Sequence, residues 1–310
     1  MEVTRLPEFT VAVCTRNRRE SLSTTLDSLA EQQARASWET LVIDNGSTDG
    51  TLEWARGRAA GFPAPLRVES EKVPGASSAR NRAVASALGR VVIFTDDDAA
   101  CRPGWLQAHV AAFADPSVLG TGGRILPKLP PEVPEWFRRA LPTEVGGPTA
   151  RYDFGSRSVD ILAGGPILPA FTANMGVVRE CALAVGGFRT DVGPGSRIPF
   201  AEDVDFFERI LDLPGRCLYV PDAVVDHCIP PHRTTREYYL DWHVDLGRAS
   251  IAMRQPLGLM ERVDGLLRYG PRLATWIWRA RRCHGDLHRE LHALRKRETT
   301  RGRCLELLGR

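Results

Sequence analysis

The sequence predicts an α/β protein with a mixed, mostly parallel sheet that is flanked by helices, followed by a helical C-terminal extension. Short apolar runs without polar alternation, at residues 9–13, 40–43 and 91–94, are typical of strands that are covered on both faces. Helical patterns separate these runs, and strand and helix alternate in this way up to about residue 125. In such sheets, ligands bind at the carboxyl ends of the strands.

Length, charge and cysteine usage exclude several classes of protein. A chain of 310 residues can bury a large core, and a net charge of +3 gives no support for a nucleic-acid partner. The seven cysteines are scattered without a Cys-x-x-Cys pair, which argues against a disulfide framework and a zinc knuckle. Neither a signal peptide nor a membrane-spanning segment is predicted. We therefore expect a cytoplasmic protein.

Two acidic clusters follow predicted strands. Asp96-Asp97-Asp98 comes directly after the strand at 91–94. Adjacent carboxylates repel one another, and a divalent ion that also takes substrate phosphates would offset this repulsion; a solvated acidic turn is the alternative. Asp44, after the strand at 40–43, opens a turn that contains Gly46. It could accept hydrogen bonds from a ribose or base, or belong to a plain turn.

A glycine turn and a strand-end histidine are further candidates. The segment Gly75–Asn81 brings a glycine, hydroxyls at a helix start and Arg80 together. This pattern fits an anion-facing helix N-terminus or an ordinary capped helix. His227 follows the apolar run at 223–225 and could ligate a metal or be structural.

The helix predicted at 202–213 separates its carboxylates by face. Asp203 shares a stripe with Phe206 and Ile210, so we expect it to point inward, where a carboxylate is costly unless it is employed. It is therefore a candidate general base, although capping of the helix N-terminus explains the same residue. Asp205 falls on the opposite face and is expected to be structural and solvated.

Beyond Arg233 the chain becomes helical and basic. Its cationic residues alternate with Leu273, Trp276, Ile277 and Trp278. The tail could hold an anionic membrane surface or a partner, which would place the protein at the inner face of the membrane. The alternative is a packed helix with a solvated basic face.

Several motifs together resemble the family 2 inverting glycosyltransferases of GT-A fold, over roughly residues 9–233. They occur in the family's order as Val13–Arg18, Val42–Asp49, Ala79–Asn81, the Asp96 triplet, Asn174–Met175, Gly186–Phe188 and Ala201–Asp203. The Asp96 triplet corresponds to the DXD motif of the family.

The resemblance implies a role for each matching residue. The residues expected to bind the nucleotide sugar are Thr15, Asn17, Asp44, Arg80, Asp96, Asp97 and Glu202. Among them, Asp44 would contact the base or ribose and Asp96 would face the ribose. Asp98 would hold Mn²⁺ or Mg²⁺, with His227 as a second ligand. Asp203 would be the base that deprotonates the acceptor hydroxyl.

The implied activity is transfer of one sugar from a nucleoside-diphosphate sugar to a hydroxyl of a glycan, lipid-linked or small-molecule acceptor, in polysaccharide, glycan or glycoconjugate biosynthesis. Residues 1–125 would form the nucleotide-sugar-binding half and 126–233 the acceptor-binding and catalytic-base half of one domain, with 234–310 as a basic helical extension. The Gln-x-x-Arg-Trp motif is absent, which disfavours a processive synthase.

Two other functions remain open. A sugar nucleotidyltransferase would use a similar sheet and metal, but needs a Gly-rich loop where this chain has Thr15–Arg18. A non-catalytic nucleotide-sugar-binding protein could keep the fold, although the intact acids at Asp44, Asp98 and Asp203 argue against it.

Overall fold

The computed structural model describes residues 6–140, 146–254, 257–283 and 286–309. The chain divides into two compact units. Unit 1 consists of residues 1–128, 150–196 and 202–228, and unit 2 of residues 129–149, 197–201 and 229–310. Unit 1 thus draws on both predicted halves, and unit 2 contains the predicted C-terminal extension.

The described residues form nine strands and ten α-helices. The strands are β1 (Phe9–Thr15), β2 (Trp38–Asp44), β3 (Leu66–Ser70), β4 (Val91–Asp96), β5 (Ala99–Cys101), β6 (Val118–Lys128), β7 (Val159–Asp160), β8 (Asn174–Val178) and β9 (Arg216–Cys228). The helices are α1 (Arg19–Ala30), α2 (Thr51–Arg58), α3 (Ala76–Ser86), α4 (Trp105–Ala112), α5 (Glu135–Ala140), α6 (Arg179–Ala184), α7 (Glu202–Leu211), α8 (Arg236–Ala252), α9 (Leu259–Arg282) and α10 (Leu287–Leu307).

Unit 1 is built on one mixed sheet with the strand order β3-β2-β1-β4-β8-β6-β9-β5, and β7 pairs with β9. The first four strands in this order are parallel, whereas β8 runs antiparallel to both β4 and β6. The predicted mixed sheet with flanking helices is therefore confirmed. Its parallel part is the region where the apolar runs predicted strands.

In the first 100 residues, the strands and helices lie where the apolar runs and helical patterns of the sequence predict them. Leu22, Leu26 and Leu29 are fully buried on α1. Helix α3 ends at Ser86, three residues before Gly89. Gly89 itself lies against the backbone of Phe9, where an added Cβ would be 2.5 Å from the carbonyl carbon. Only glycine allows this close approach.

The described residues between 126 and 170 include three regular elements. They are the end of β6, α5 and the short β7. Pro127 and the glycines of β6 obscure the strand pattern in the sequence, because both residue types are depleted in strands.

In unit 2, α8, α9 and α10 pack together as the predicted helical tail. Gly247 of α8 and Gly302 of α10 allow two backbones to cross closely, since an added Cβ on either would lie within 2.2 Å of a carbonyl oxygen of the other helix (2.1 and 1.8 Å). Ala280, Ala293 and Leu294 form a small core between these helices. Within the described ranges, no helix is both long and apolar enough to cross a bilayer.

Candidate active site

The parallel strands bring the predicted acidic clusters to one edge of the sheet. Thr15 at the end of β1 is in register with Asp44 of β2, and Cys14 is in register with Asp96 of β4. Because parallel strands end at the same edge, the two acidic clusters flank the end of β1 from both sides. The predicted juxtaposition of Asp44 with the triplet follows directly from this register.

Asp96, Asp98 and His227 form a cluster that fits a divalent ion. One ligand atom from each lies within 4.8 Å of the others. His227 lies on β9, paired with Ala99 of β5, and its Nε2 is 3.2 Å from Asp98 Oδ1. Two hard carboxylate oxygens and one imidazole nitrogen are donors that Mn²⁺ accepts and Mg²⁺ tolerates. The geometry adds Asp96 to the ligands expected from the resemblance.

Arg18 is a site residue that the sequence reasoning missed. Its Nη1 donates to Asp97 Oδ1 at 3.0 Å and to Asp98 Oδ2 at 2.7 Å, so the guanidinium offsets part of the repulsion within the triplet. Thr15 Oγ1 donates to the other oxygen of Asp97 at 2.7 Å. Both oxygens of Asp97 are therefore engaged by side chains of the β1–α1 segment. Burial raises the pKa of Asp97 to about 6, partly offset by Arg18.

Arg80 connects the triplet with the start of α7. Its guanidinium forms a buried ion pair with Glu202 and lies 3.6 Å from Asp96 Oδ1. Burial opposes its charge, but the carboxylates of Glu202 and Asp96 outweigh this effect and raise the pKa of Arg80. At the start of α3 no described side chain caps the helix, and the Ala76 N–H instead donates to the distant Pro194 carbonyl at 3.1 Å.

Asp203 lies in the first turn of α7. Phe206 and Ile210 on the predicted stripe are fully buried, but Asp203 itself is partly exposed. Its carboxylate accepts the Val204 N–H at 2.8 Å and the Thr172 N–H at 3.4 Å. Burial and the neighbouring Glu202 carboxylate raise the pKa of Asp203 well above its usual range. A carboxylate that is both reachable and basic is suited to proton abstraction.

Asp205 differs from its predicted solvated position. It is mostly buried and forms ion pairs with Arg189 at 3.4 Å and with Arg209 at 2.7 Å. Arg209 also donates to the carbonyl oxygens of Val185 and Gly187. The expected structural role therefore takes the form of a paired charge that anchors α7 to the segment after α6.

Asp44 and Asn17 shape the neighbouring edge. Asp44 is buried, and its Oδ2 accepts the Ser47 N–H at 3.0 Å, whereas Oδ1 has no hydrogen-bond partner among the described residues. Asn17 adopts a left-handed conformation with φ 53° and accepts the Thr48 N–H through Oδ1 at 2.7 Å. Asn17 thereby ties the β1 loop to the β2 turn, and one acceptor oxygen of Asp44 is buried without a hydrogen-bond partner among the described residues.

Two further motifs stabilise the scaffold. Asn174 on β8 accepts from Trp105 Nε1 at 2.8 Å and lies 2.9 Å from His109 Nε2, while its amide donates to carbonyls of β6 and β9. Burial lowers the pKa of His109 to about 4, so the ring stays neutral. Asn81 exchanges hydrogen bonds with the backbone of Phe188, which joins the motifs at 79–81 and 186–188.

Comparison with known proteins agrees with this geometry. Residues 10–161 match the family model described as Glycosyl transferase family 2. The pre-mycofactocin glycosyltransferase of Mycobacterium tuberculosis is 29% identical over 206 residues, which cover 66% of this chain and 39% of that protein. The glucosyl-dolichyl phosphate glucuronosyltransferase of Haloferax volcanii is 25% identical over 242 residues, which cover 76% of this chain and 73% of that protein. The chain thus spans about two fifths of the mycobacterial relative.

Solved structures support the same fold. The mannosyltransferase PcManGT from Pyrobaculum calidifontis, in complex with GDP-Man and Mn²⁺, superposes with a TM-score of 0.57 at 23% identity and covers 96% of this chain and 74% of its own. S. aureus TarS 1–349 in complex with UDP-GlcNAc gives a TM-score of 0.57 at 17% identity and covers 96% of this chain and 90% of its own. The match over residues 10–161 identifies that region as glycosyl transferase family 2, and the chain has the GT-A fold.

Proposed function

We propose that this protein is a metal-dependent hexosyltransferase that transfers a single sugar from a nucleoside-diphosphate sugar to an acceptor hydroxyl, with inversion at the anomeric carbon. The observation that carries the proposal is the chain of contacts from the Asp96, Asp98 and His227 cluster through Arg80 to the start of α7, where Asp203 lies. A candidate metal site and a candidate base are thereby held in one charged network.

The donor would bind at the edge formed by β1, β2 and β4. The open oxygen of Asp44 offers an acceptor to an N–H of the base or to a ribose hydroxyl. Asp98 and His227, with Asp96 in reach, would hold Mn²⁺ or Mg²⁺ beside the diphosphate. Such an ion neutralises charge that develops on the leaving nucleoside diphosphate. Relatives with bound GDP-Man or UDP-GlcNAc support this class of donor.

Asp203 would act as the general base. Its carboxylate accepts the proton of the acceptor hydroxyl while the hydroxyl oxygen bonds to the anomeric carbon and the bond to the diphosphate breaks on the opposite face. Entry and departure on opposite faces invert the anomeric configuration. The raised pKa of Asp203 supports this role, because proton transfer is most effective when the pKa of the base lies near the working pH.

The alternatives are less well supported. The family match disfavours a nucleotidyltransferase, and the Asp203 carboxylate would have no role in a protein that only binds nucleotide sugars. The names of the relatives support a place in glycan or glycoconjugate biosynthesis, with a glycan, lipid-linked or small-molecule acceptor.

Replacement of the proposed base tests the assignment. A panel of UDP- and GDP-sugars with MnCl₂ in thermal shift first identifies the donor by its stabilisation of the wild type. In Asp203→Asn we expect acceptor-dependent release of nucleoside diphosphate to fall by about 10²- to 10⁴-fold, since the amide cannot take the proton. Donor affinity should stay within about twofold of the wild-type value, because the asparagine carboxamide has nearly the same shape as the aspartate carboxylate.

Asp205→Asn is the matched control on the same helix, and it should retain most of the turnover because its partners are structural. Wild-type turnover in Asp203→Asn would exclude this residue as the base. Donor stabilisation without any turnover in the wild type, across a broad acceptor panel, would favour the non-catalytic binding function.

A further inference from the structure

Helix α9 of unit 2 exposes large apolar side chains along its length. Leu259, Met260 and Leu267 are 77%, 79% and 72% exposed, and Trp278 near the other end is 53% exposed. Val263 and Ile277 are also exposed. Single exposed apolar residues are ordinary, but several of them on one face of a helix mark an interaction surface.

These side chains share one face of the helix. At 100° per residue, the exposed apolar positions fall in one sector roughly 100° wide, together with Gly270, Ala274 and Arg281. A helix of 24 residues is about 36 Å long, so the face is long and narrow. We call it the outer face of α9. Tyr269, Leu273, Trp276 and Ala280 lie on the other side and are more buried.

The structure thereby reassigns the apolar residues of the tail. From the sequence, Leu273, Trp276, Ile277 and Trp278 were grouped together. Trp276 contacts the core formed by Ala280, Ala293 and Leu294, so it stabilises the packing of α9 within the unit. Ile277 and Trp278 instead continue the outer face that begins at Leu259. The helix therefore has an apolar side for its own unit and a second one that faces outward.

Basic residues border the outer face. Around the helix axis, the positions next to the outer face hold four arginines: Arg268, Arg272, Arg279 and Arg282. They outnumber the two acidic residues on the same side, Glu261 and Asp264. The guanidinium of Arg282 lies 4.2 Å from the ring centroid of Trp278. A cation stacked on an exposed indole combines an apolar surface with a phosphate-binding charge.

We propose that α9 binds the surface of an anionic lipid bilayer, with its outer face in the boundary between headgroups and acyl chains and its arginines on the lipid phosphates. The arrangement matches an interfacial helix, in which Leu and Trp occupy one face and arginines the adjoining polar face. The basic border is what favours lipid over a second protein, because its four arginines outnumber the two acidic residues and leave an excess of positive charge that complements an anionic membrane. The proposal does not depend on sugar transfer.

Sedimentation with lipid vesicles tests the proposal. We expect the full-length protein to bind vesicles of phosphatidylglycerol and phosphatidylcholine and to bind pure phosphatidylcholine vesicles at least roughly tenfold more weakly. Leu267→Glu and Trp278→Glu should each weaken binding to the anionic vesicles by roughly tenfold or more, because a charge replaces an inserted apolar side chain. Leu183→Glu, on the exposed side of α6 in unit 1, is the matched control and should bind like the wild type.

A second variant keeps the test independent of the apolar residues. In Arg268→Gln/Arg272→Gln/Arg279→Gln we expect the preference for anionic vesicles to disappear, with the melting temperature close to that of the wild type. Failure of the wild type to bind anionic vesicles would overturn the proposal. So would unchanged vesicle binding in Leu267→Glu, and a change from dimer to monomer in that variant would then assign the outer face to a second copy of the chain.

Discussion

The two acidic clusters of unit 1 both lie at the carboxyl ends of buried parallel strands, but their hydrogen-bond and ion-pair partners differ. The carboxylates of the triplet have side-chain partners, since Arg18 bridges Asp97 and Asp98 and His227 contacts Asp98. Asp44 after β2 accepts one backbone N–H and keeps its second oxygen open. Both clusters end buried parallel strands, so position in the sheet alone does not distinguish them.

The difference indicates what each cluster requires from a ligand. A cluster of carboxylates with a nearby histidine is completed by a cation, whereas a single buried acceptor is completed by a donor hydrogen. The first is suited to hold a metal and the second to recognise an uncharged part of the nucleotide. Substitutions that affect one cluster should therefore leave the other intact.

The largest effect is expected at Asp98. In Asp98→Asn we expect Mn²⁺ affinity, measured by isothermal titration calorimetry, to fall by roughly 100-fold, because a charged ligand is lost. Asp226→Asn is the control. Asp226 is next to His227 in sequence but pairs with Arg102, so the Mn²⁺ affinity of this variant should match that of the wild type. Equal Mn²⁺ affinity in Asp98→Asn and the wild type would remove Asp98 from the metal site.

A smaller effect is expected at Asp44. In Asp44→Asn, the amide group keeps the size of the carboxylate but presents a donor where a ligand donor should bind. We expect affinity for UDP or GDP, whichever stabilises the wild type with MnCl₂, to fall about tenfold, the equivalent of one charge-assisted hydrogen bond. Asp49→Asn is the control, since Asp49 is exposed and only caps Thr51. If both variants bind the nucleotide equally well, Asp44 does not contact it.

The smallest effect is expected at Arg18. Its pairs with the triplet are partly exposed, so in Arg18→Gln we expect a loss of about 1 kcal/mol and a melting temperature lower by about 2 °C in EDTA. MnCl₂ should raise the melting temperature of Arg18→Gln by more than it raises that of the wild type, because the ion replaces the missing positive charge. Arg16→Gln removes an equal charge from the same exposed loop and should show neither change.

The parallel part of the sheet could be predicted because its strands are buried on both faces and read as continuous apolar runs. Of the later strands, β9 is marked by its apolar run at 223–225, but β6 could not be predicted. β6 contains Gly120, Gly122 and Gly123, and an added Cβ on Gly123 would lie 2.3 Å from the Asn174 side chain. The glycines that make this packing possible also remove the apolar signal from the sequence.

In the candidate site, too, some residues could be predicted from the sequence and others could not. Asp98 and Asp203 could be found from their place after a strand and on a helical stripe, strengthened by the family resemblance. Arg18 could not, because its partner Asp98 lies 80 positions away in the chain. The partial exposure of Asp203 and the ion pair between Asp205 and Arg189 also arise from tertiary contacts, which helical spacing alone does not contain.

The position of β8 has a consequence for the synthesis of the chain. β8 lies between β4 and β6, although it follows both in sequence, and β9 completes the other side of β6. In a nascent chain that has not reached Asn174, one edge of β4 is therefore open. β6 then has neither of its two described strand partners, β8 and β9. Open strand edges are templates for pairing with other chains, so the long interval before β8 is the period in which the emerging protein is most exposed to aggregation and most dependent on chaperones.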